Sequence, residues 1–232
     1  DWRRVAEWGP DLADRASPAS IWEGCYTHFH SADLEDDGPT RAQWESFNSA
    51  LKRLEPEKGS LIHSCNAAAA MRYPTFAADA VRPGIFLYGG CVGKGVAPPE
   101  EAARVRARVT LIRDVPESTT LGYGATYRSS GNERWATLGI GYGDGFPRVL
   151  GNRGNALLAG QKFPIIGRIS MDMTVVDITG AGGVEVGDAA TLIGTDGDGV
   201  ITLDEVADLA GTISYEILTG FTARMPRIWI TE

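Results

Sequence analysis

Residues 103–115 read ARVRARVTLIRDV, a run in which apolar and polar side chains alternate over most of its length. Such alternation is typical of a β-strand with one face in the core and the other in water. Similar short runs, separated by turn residues, follow toward the carboxyl terminus: RWATLGIGY (134–142), NALLAG (155–160), KFPIIGRISMDMTVVDIT (162–179) and AATLIG (189–194). Strands at this spacing predict an antiparallel, mostly β domain.

One helix is predicted within this β pattern, at TLDEVADLAGT (202–212). Thr202 is expected to cap its amino end, and Glu205 to complete a capping box. Just upstream, GTDGDGVITLDE (194–205) contains part of an EF-hand calcium loop. Gly194 stands at the first ligand position, however, where Asp is required. We therefore predict no metal site here, but a turn that leads from a hairpin into the helix.

Upstream of residue 93 the pattern changes to that of parallel α/β units. Residues 1–20 and 40–55 have helical spacing of apolar side chains, and three short apolar runs at 21–29, 60–65 and 84–88 have the length of buried strands. Short buried strands that alternate with helices predict a parallel sheet.

The segment GKGVAPPEEA (93–102) has the composition of a linker. We therefore expect two domains, with the α/β part at residues 1–97 and the β-rich part at residues 98–232.

Composition excludes several classes of partner. The net charge of −8 argues against binding to a nucleic-acid backbone, because phosphate binding depends on basic side chains. No apolar run reaches the roughly 18 residues that a membrane-spanning helix needs. Cys25, Cys65 and Cys91 match no zinc-binding spacing, so we expect free buried thiols in a reducing compartment. A cytoplasmic protein that binds a small molecule fits these observations.

Residues 139–148 read GIGYGDGFPR and place Tyr142 between glycines where a predicted strand ends. Glycine permits turns that other residues resist. Tyr142 is therefore expected to be exposed on a stiff backbone, as suits a group that must reach a substrate. Taken alone, the motif fits a solvent-exposed β-turn at least as well.

Other motifs accompany this one in a consistent order: GCYTHFHSAD (24–33), HSCNAAA (63–69), RPGIFLYG (82–89), GYGATY (122–127), FPIIGRISMDMTVVDIT (163–179) and GTISYEILTGFTARMPR (211–227). Together they resemble the bacterial alanine racemases, which use pyridoxal phosphate (PLP), from about residue 20 to residue 232. In that family a PLP-binding (β/α)8 barrel precedes the second domain. The resemblance thus implies an α/β plus β fold, in which the last strands of such a barrel lead into a mostly β carboxy-terminal domain.

A complete (β/α)8 barrel takes about 250 residues, yet the linker here already begins at residue 93. Three parallel strands cannot close and would leave two open edges. We therefore expect the chain to be the later part of a longer enzyme. Its early strands would be a separate chain, a cleaved fragment or a region outside this structure. An autonomous half-barrel is the less favoured alternative.

The resemblance implies racemisation of alanine in a homodimer whose active sites are shared across the interface, and hence a supply of D-alanine for peptidoglycan. It assigns Tyr142 as the base that acts on the L-enantiomer, at the PLP of the partner subunit. It places His28 against PLP and this tyrosine, and Arg82 opposite the pyridine nitrogen of PLP. Because a guanidinium stays charged, that nitrogen would remain unprotonated. His63 is expected to hold His28 or Arg82 in place.

Further site residues are implied by the same resemblance. Besides His28 and Arg82, the cofactor contacts are Asn66, Ala67, Gly84, Ile85 and Tyr215. The substrate contacts are Met171, Asp172, Tyr123 and Tyr127. Ala67 replaces the phosphate-binding serine of the family, so one side-chain contact is lost while a backbone N–H remains.

The lysine that binds PLP in the family has no match in this sequence. Lys52, Lys58, Lys94 and Lys162 are expected on helix faces or in loops. The chain alone is therefore not expected to bind PLP covalently. Two alternatives stay open: a serine or broad-specificity racemase, and a non-catalytic assembly or binding module that retains the fold.

Overall fold

The computed structural model describes residues 2–9, 23–56 and 58–230. The chain divides into two compact units: the first runs to Leu87 and includes Cys91–Pro99, and the second comprises Tyr88–Gly90 and Glu100 onward. The domain limits expected from the sequence, 1–97 and 98–232, stay a prediction.

The described part of the first unit contains, besides a short helix at residues 5–9, a three-stranded parallel sheet and two further α-helices. In chain order these are β1 (Gly24–Tyr26), α1 (Gly38–Leu54), β2 (Leu61–Asn66), α2 (Ala67–Arg72) and β3 (Ala80–Arg82). The strand order is β1-β2-β3, so among the described residues β1 and β3 each keep one open edge. The predicted strands near residues 24 and 61 and the predicted helix at 40–55 are confirmed. Of the helix predicted at 1–20, residues 5–9 are helical and residues 10–20 lie outside the described residues.

The strand predicted at 84–88 is wrong. Gly84–Tyr88 form a 3-10 helix, and the third strand ends at Arg82. Pro83 has no N–H to donate to a neighbouring strand. Gly84 then adopts a φ of +49°, a left-handed conformation that stops extended backbone. The apolar run reflects burial of Ile85 on the 3-10 helix rather than a strand.

The second unit is a closed antiparallel sheet with two short helices. Its strands are β4 (Val105–Val115), β5 (Thr120–Leu121), β6 (Tyr127–Arg128), β7 (Glu133–Leu138), β8 (Asn155–Leu158), β9 (Gln161–Ile166), β10 (Thr174–Asp177), β11 (Ala189–Asp196) and β12 (Gly199–Ile201). The main sheet has the order β12-β11-β4-β7-β10-β9-β8, and pairing of β11 with β8 closes it on itself. The helices are α3 (Leu203–Ala210) and α4 (Ser214–Gly220).

The alternation that predicted β4 is found in its first half. Val105, Ala107 and Val109 are buried, and the arginines between them are exposed. The register with β7 shifts between Val109 and Leu111, where the strict alternation also ends. The predicted mostly β second part of the chain is therefore confirmed.

A buried carboxylate lies in the core of this unit. Glu133 is 8% exposed and accepts hydrogen bonds from Trp135 Nε1 (2.7 Å), the Tyr127 hydroxyl (2.9 Å) and the backbone N–H of Ser130 (2.9 Å). Burial alone would raise the pKa of Glu133, but these hydrogen bonds outweigh burial and hold the pKa below its usual range. Burial and the same carboxylate raise the pKa of Tyr127 to about 12.

Tyr127→Phe is expected to lower the free energy of unfolding at pH 7 by about 1.5–3 kcal/mol, as for other hydrogen bonds to a charged group. The pKa of Tyr127 in the fold lies above the value of about 10 for an unfolded tyrosine. The contribution of its hydroxyl is therefore complete below about pH 10 and is lost as the pH rises through about 12. Urea unfolding of the unaltered protein and of Tyr127→Phe, at pH 7 and at pH 11, measures this contribution. If the two proteins differ in stability by the same amount at both pH values, the raised pKa of Tyr127 is contradicted.

Helix α3 begins with the predicted cap but not with a full capping box. Thr202 Oγ1 accepts from the N–H of Glu205 at 3.0 Å. The Glu205 carboxylate instead pairs with Lys162 Nζ at 3.0 Å and 3.1 Å. Lys162 lies in β9, so its predicted position on a helix or in a loop is wrong.

Thr202→Ala is expected to destabilise the protein by about 1 kcal/mol, because the third N–H of α3 loses its acceptor. Thr202→Ser keeps a hydroxyl at the cap and should recover most of this loss. Denaturant unfolding of the two variants measures the difference. Equal stabilities would show that the methyl group of Thr202, and not its hydroxyl, matters.

Other sequence predictions concern thiols, turns and membranes. The three cysteines are thiols rather than disulfides, as predicted, but only Cys65 is buried, and Cys91 is exposed. Residues 197–198 turn β11 into β12 just before α3, which is the hairpin-to-helix turn predicted there. Within the described ranges, no helix combines the length and apolar character needed to cross a bilayer.

Candidate active site

Arg82 organises the polar groups of the first unit. Its guanidinium lies where the parallel strands end: Nη2 donates to the carbonyls of Thr27 (2.8 Å) and Ser64 (2.9 Å), and Nη1 lies 2.5 Å from His63 Nδ1. Nη2 is also 3.5 Å from His28 Nδ1. The Arg82 guanidinium, from the end of β3, is therefore held by groups of β2 and of the segment that follows β1.

Among the residues that the structure describes, no carboxylate forms an ion pair with Arg82. Its Nε–H makes no hydrogen bond to any of them either. A guanidinium can only donate, so His63 Nδ1 is the acceptor in this pair. Tyr26 stacks on the His63 ring with centroids 5.2 Å apart. His63 thus holds Arg82 in place, as predicted.

Asn66 and the start of α2 form a second group of donors. Asn66 Oδ1 accepts from Ala69 N at 3.0 Å and caps the helix, while its Nδ2 donates to the Phe29 carbonyl at 3.3 Å. Asn66 therefore fixes the start of α2. Ala67 and Ala68 are the first two residues of α2, so their N–H groups have no acceptor within the helix.

Gly84 and Ile85 begin the 3-10 helix, and their N–H groups likewise lack acceptors within it. Apart from its neighbours in the chain, no atom of a described residue lies within 4 Å of the position that a Cβ on Gly84 would occupy. Backbone donors next to open space can receive an anionic group.

In the second unit, Tyr142 stands on a short clamped turn. Tyr142–Asp144 form a single 3-10 turn, and the N–H groups of Tyr142 and Gly143 donate to the carbonyls of Ser170 (3.0 Å) and Met171 (2.8 Å). The Tyr142 side chain is 42% exposed. An exposed phenol on stiff backbone is what the glycine-rich motif predicted.

The other candidates of the second unit differ in their surroundings. Met171, Asp172 and Tyr123 are exposed. Tyr215 is also exposed, at the start of α4, so it is not a core residue of that helix. Tyr127 is partly buried, meets Trp135 edge to face and donates to Glu133. The structure thus gives Tyr127 a core contact, and its expected role as a substrate contact stays a prediction.

The structure therefore brings the candidates together in two groups, one in each unit. His28 and His63 gather around Arg82, and Tyr142 lies against the turn that carries Met171 and Asp172.

Two residues that contact the Tyr142 and Met171 turns of the second unit were missed by sequence reasoning. Asp144 Oδ2 accepts from the N–H of Gly141 at 2.9 Å, and Arg224 makes ion pairs with Asp144 and Asp172. Both residues stand inside quoted motifs, but nothing local to either one indicates a partner.

A parallel α/β unit followed by a closed antiparallel unit defines a two-domain protein of the α/β plus β class. The family model for the C-terminal domain of alanine racemase matches residues 102–229, and that for the N-terminal domain matches residues 4–92. The chain belongs to the alanine racemase family. Its fold is that of the last strands of a (β/α)8 barrel followed by a mostly β domain, as predicted.

Relatives of known name support this assignment. The chain is 42% identical over 215 residues to alanine racemase from Carboxydothermus hydrogenoformans, covering 90% of this chain and 58% of that protein. It is 38% identical to alanine racemase 2 of Bacillus subtilis, with 94% of this chain and 57% of that protein covered. The chain thus spans less than two thirds of the length of these relatives.

Solved structures give the same result. Alanine racemase from Streptomyces coelicolor A3(2) matches with a TM-score of 0.89 at 29% identity, over 100% of this chain and 62% of that one. Alanine racemase from Bacillus anthracis with bound L-Ala-P matches with a TM-score of 0.88 at 33% identity, over 100% of this chain and 60% of that one.

Proposed function

We propose that this chain forms the later part of a PLP-dependent enzyme that interconverts L-alanine and D-alanine. The observation that carries the proposal is Arg82, a cation fixed by His63 and two backbone carbonyls at the end of a parallel sheet. An arginine that has no carboxylate partner among the described residues, beside two histidines and open backbone donors, is suited to hold an anionic heterocycle.

The donors of the first unit fit the chemical groups of PLP. The N–H groups of Ala67, Gly84 and Ile85 are available for a phosphate, and Asn66 stabilises the helix that presents the first of them. The Tyr215 hydroxyl would add a further phosphate contact. Loss of the family's serine at position 67 removes one hydroxyl but no backbone donor.

PLP, when bound, supplies an electron sink that makes the α-proton of an amino acid acidic enough to remove. The Nε–H of Arg82, which makes no hydrogen bond to a described residue, would donate to the pyridine nitrogen and, since the guanidinium stays charged, would keep that nitrogen unprotonated. This limits electron withdrawal and favours simple proton exchange. His28 would contact both the cofactor and the catalytic tyrosine.

Tyr142 is the proposed base for the L-enantiomer. A phenol acts as a base where a nearby positive charge or donor favours its ionised form. In a homodimer Tyr142 would serve the active site of the partner subunit. Backbone amides near Met171 and Asp172 would hold the substrate carboxylate, and Tyr123 would border the entrance.

The second base and the covalent attachment of PLP require a lysine that this chain does not supply. Lys52 lies on α1, Lys58 is exposed in a turn, Lys94 pairs with Glu35 at 3.5 Å and Lys162 pairs with Glu205. We propose that preceding barrel strands provide this lysine, and that the enzyme is a cytoplasmic homodimer that supplies D-alanine for the cell wall.

The test is an assay of the complete gene product with PLP, which measures racemisation of alanine and of serine and the visible absorbance of bound cofactor. Alanine racemisation with bound PLP is expected. Faster turnover of serine would favour the serine or broad-specificity alternative. A purified protein with neither PLP nor α-proton exchange would favour the non-catalytic module.

A further inference from the structure

Arg224 joins two turns that are far apart in the sequence. Its Nε lies 3.3 Å from Asp144 Oδ1, and its Nη2 donates to Asp172 Oδ1 at 2.5 Å. Asp144 follows Tyr142 by two residues, and Asp172 directly follows Met171. One guanidinium therefore connects the turn of the proposed base to the turn of the proposed substrate site.

Asp144 links the Arg224 guanidinium to the backbone around Tyr142. Its side chain is only 13% exposed, and its second carboxylate oxygen accepts from the N–H of Gly141. Its carbonyl accepts from Thr222 N at 2.9 Å, and the Thr222 hydroxyl donates to the Gly143 carbonyl at 3.1 Å. The segment that carries Arg224 thus contacts Gly143 and Asp144, and Asp144 in turn binds Gly141 on the other side of Tyr142.

Close packing makes the arrangement specific. A Cβ on Gly143 would lie only 2.9 Å from the carbonyl oxygen and the Cγ of Met171, and it would also collide with Arg224 Nη1. Gly143 is therefore required where the guanidinium, the Met171 turn and the Tyr142 turn meet.

We propose that Arg224 is a positioning residue for the proposed racemisation: it holds the Tyr142 turn against the 170–173 turn and so sets the direction of the Tyr142 hydroxyl. The effect of Arg224 on catalysis rests on the proposed function, whereas its role in holding the two turns together does not. Exposed ion pairs add little stability, so the contribution of Arg224 is to geometry rather than to folding. A planar guanidinium can face two carboxylates at once, which a lysine ammonium does less well.

The test compares Arg224→Ala and Arg224→Lys with Arg113→Ala in the complete enzyme. Arg113 is exposed on β4, and its side chain makes no hydrogen bond or ion pair to a described residue. The first readout is hydrogen–deuterium exchange by mass spectrometry, which needs no activity. Arg224→Ala should speed amide exchange in peptides covering 141–146 and 170–173, while Arg113→Ala should not.

The second readout is exchange of the α-proton of L-alanine and of D-alanine with deuterated solvent. Arg224→Ala should slow the L-alanine reaction by about 10- to 100-fold, as expected for a small displacement of a reacting group. The D-alanine reaction, which uses the other base, should be much less affected. Arg224→Lys should recover part of the loss.

Unchanged amide protection in both turns would overturn the positioning role, as would an equal loss for both enantiomers accompanied by a lower melting temperature. If the unaltered enzyme exchanges neither enantiomer, the proposed function fails, and the amide-exchange result still decides whether Arg224 holds the two turns.

Discussion

Tyr142→Phe in the complete enzyme is expected to lower racemisation of L-alanine by about 10²- to 10⁴-fold, the usual contribution of a positioned acid–base group. Phenylalanine keeps the ring and removes only the hydroxyl. The turn itself is held by backbone hydrogen bonds to Ser170 and Met171, which the substitution leaves intact. The loss should therefore appear in turnover and not in the melting temperature.

The measurement is the rate of L-to-D conversion together with exchange of the α-proton of each enantiomer. Exchange from L-alanine should fall with the conversion rate, while exchange from D-alanine should persist because it uses the other base. Tyr88→Phe is the matched control, since Tyr88 is also an exposed tyrosine but is not among the candidate site residues. Normal turnover by Tyr142→Phe would refute the assignment of the base.

Glu133→Ala is expected to destabilise the second unit by about 3 kcal/mol, because three buried or partly buried donors lose their shared acceptor. Trp135 is only 1% exposed, so its indole N–H cannot turn to water. For a chain of this size the loss corresponds to a fall of about 6–12 °C in melting temperature. The contribution of Glu133 is complete above the pKa of about 4.3 of an unfolded glutamate and is lost as the pH falls through its lower folded value.

Urea unfolding followed by tryptophan fluorescence measures the loss, at pH 7 and again near pH 3. Glu117→Ala removes an exposed carboxylate from the same unit and should change stability by less than about 0.5 kcal/mol. The stability of Glu133→Gln should lie between those of Glu133→Ala and Glu117→Ala, because an amide keeps one acceptor oxygen but turns its NH₂ toward other donors. If Glu133→Ala and Glu117→Ala are equally stable, the buried carboxylate does not support the core.

Local sequence signals predicted the elements whose determinants lie within a few residues. The alternation in β4 and the cap at Thr202 are both present. Where a predicted element is wrong, the cause is also local, but the spacing of apolar residues does not reveal it. The run at 84–88 has the apolar content of a strand, but Pro83 and the positive φ of Gly84 prevent one.

The order of motifs was enough to identify the family, and the glycines around Tyr142 were enough to predict an exposed phenol on a short turn. The tertiary structure alone decided which charges meet. Arg82 reaches Thr27 across 55 residues of sequence, and Arg224 reaches Asp172 across 52. Contacts of this kind depend on strand order, register and the path of connecting loops, whereas periodicity records only which face of one segment is buried. Tyr127 illustrates the difference, since the GYGATY motif does not indicate that its hydroxyl donates to a buried carboxylate six residues away.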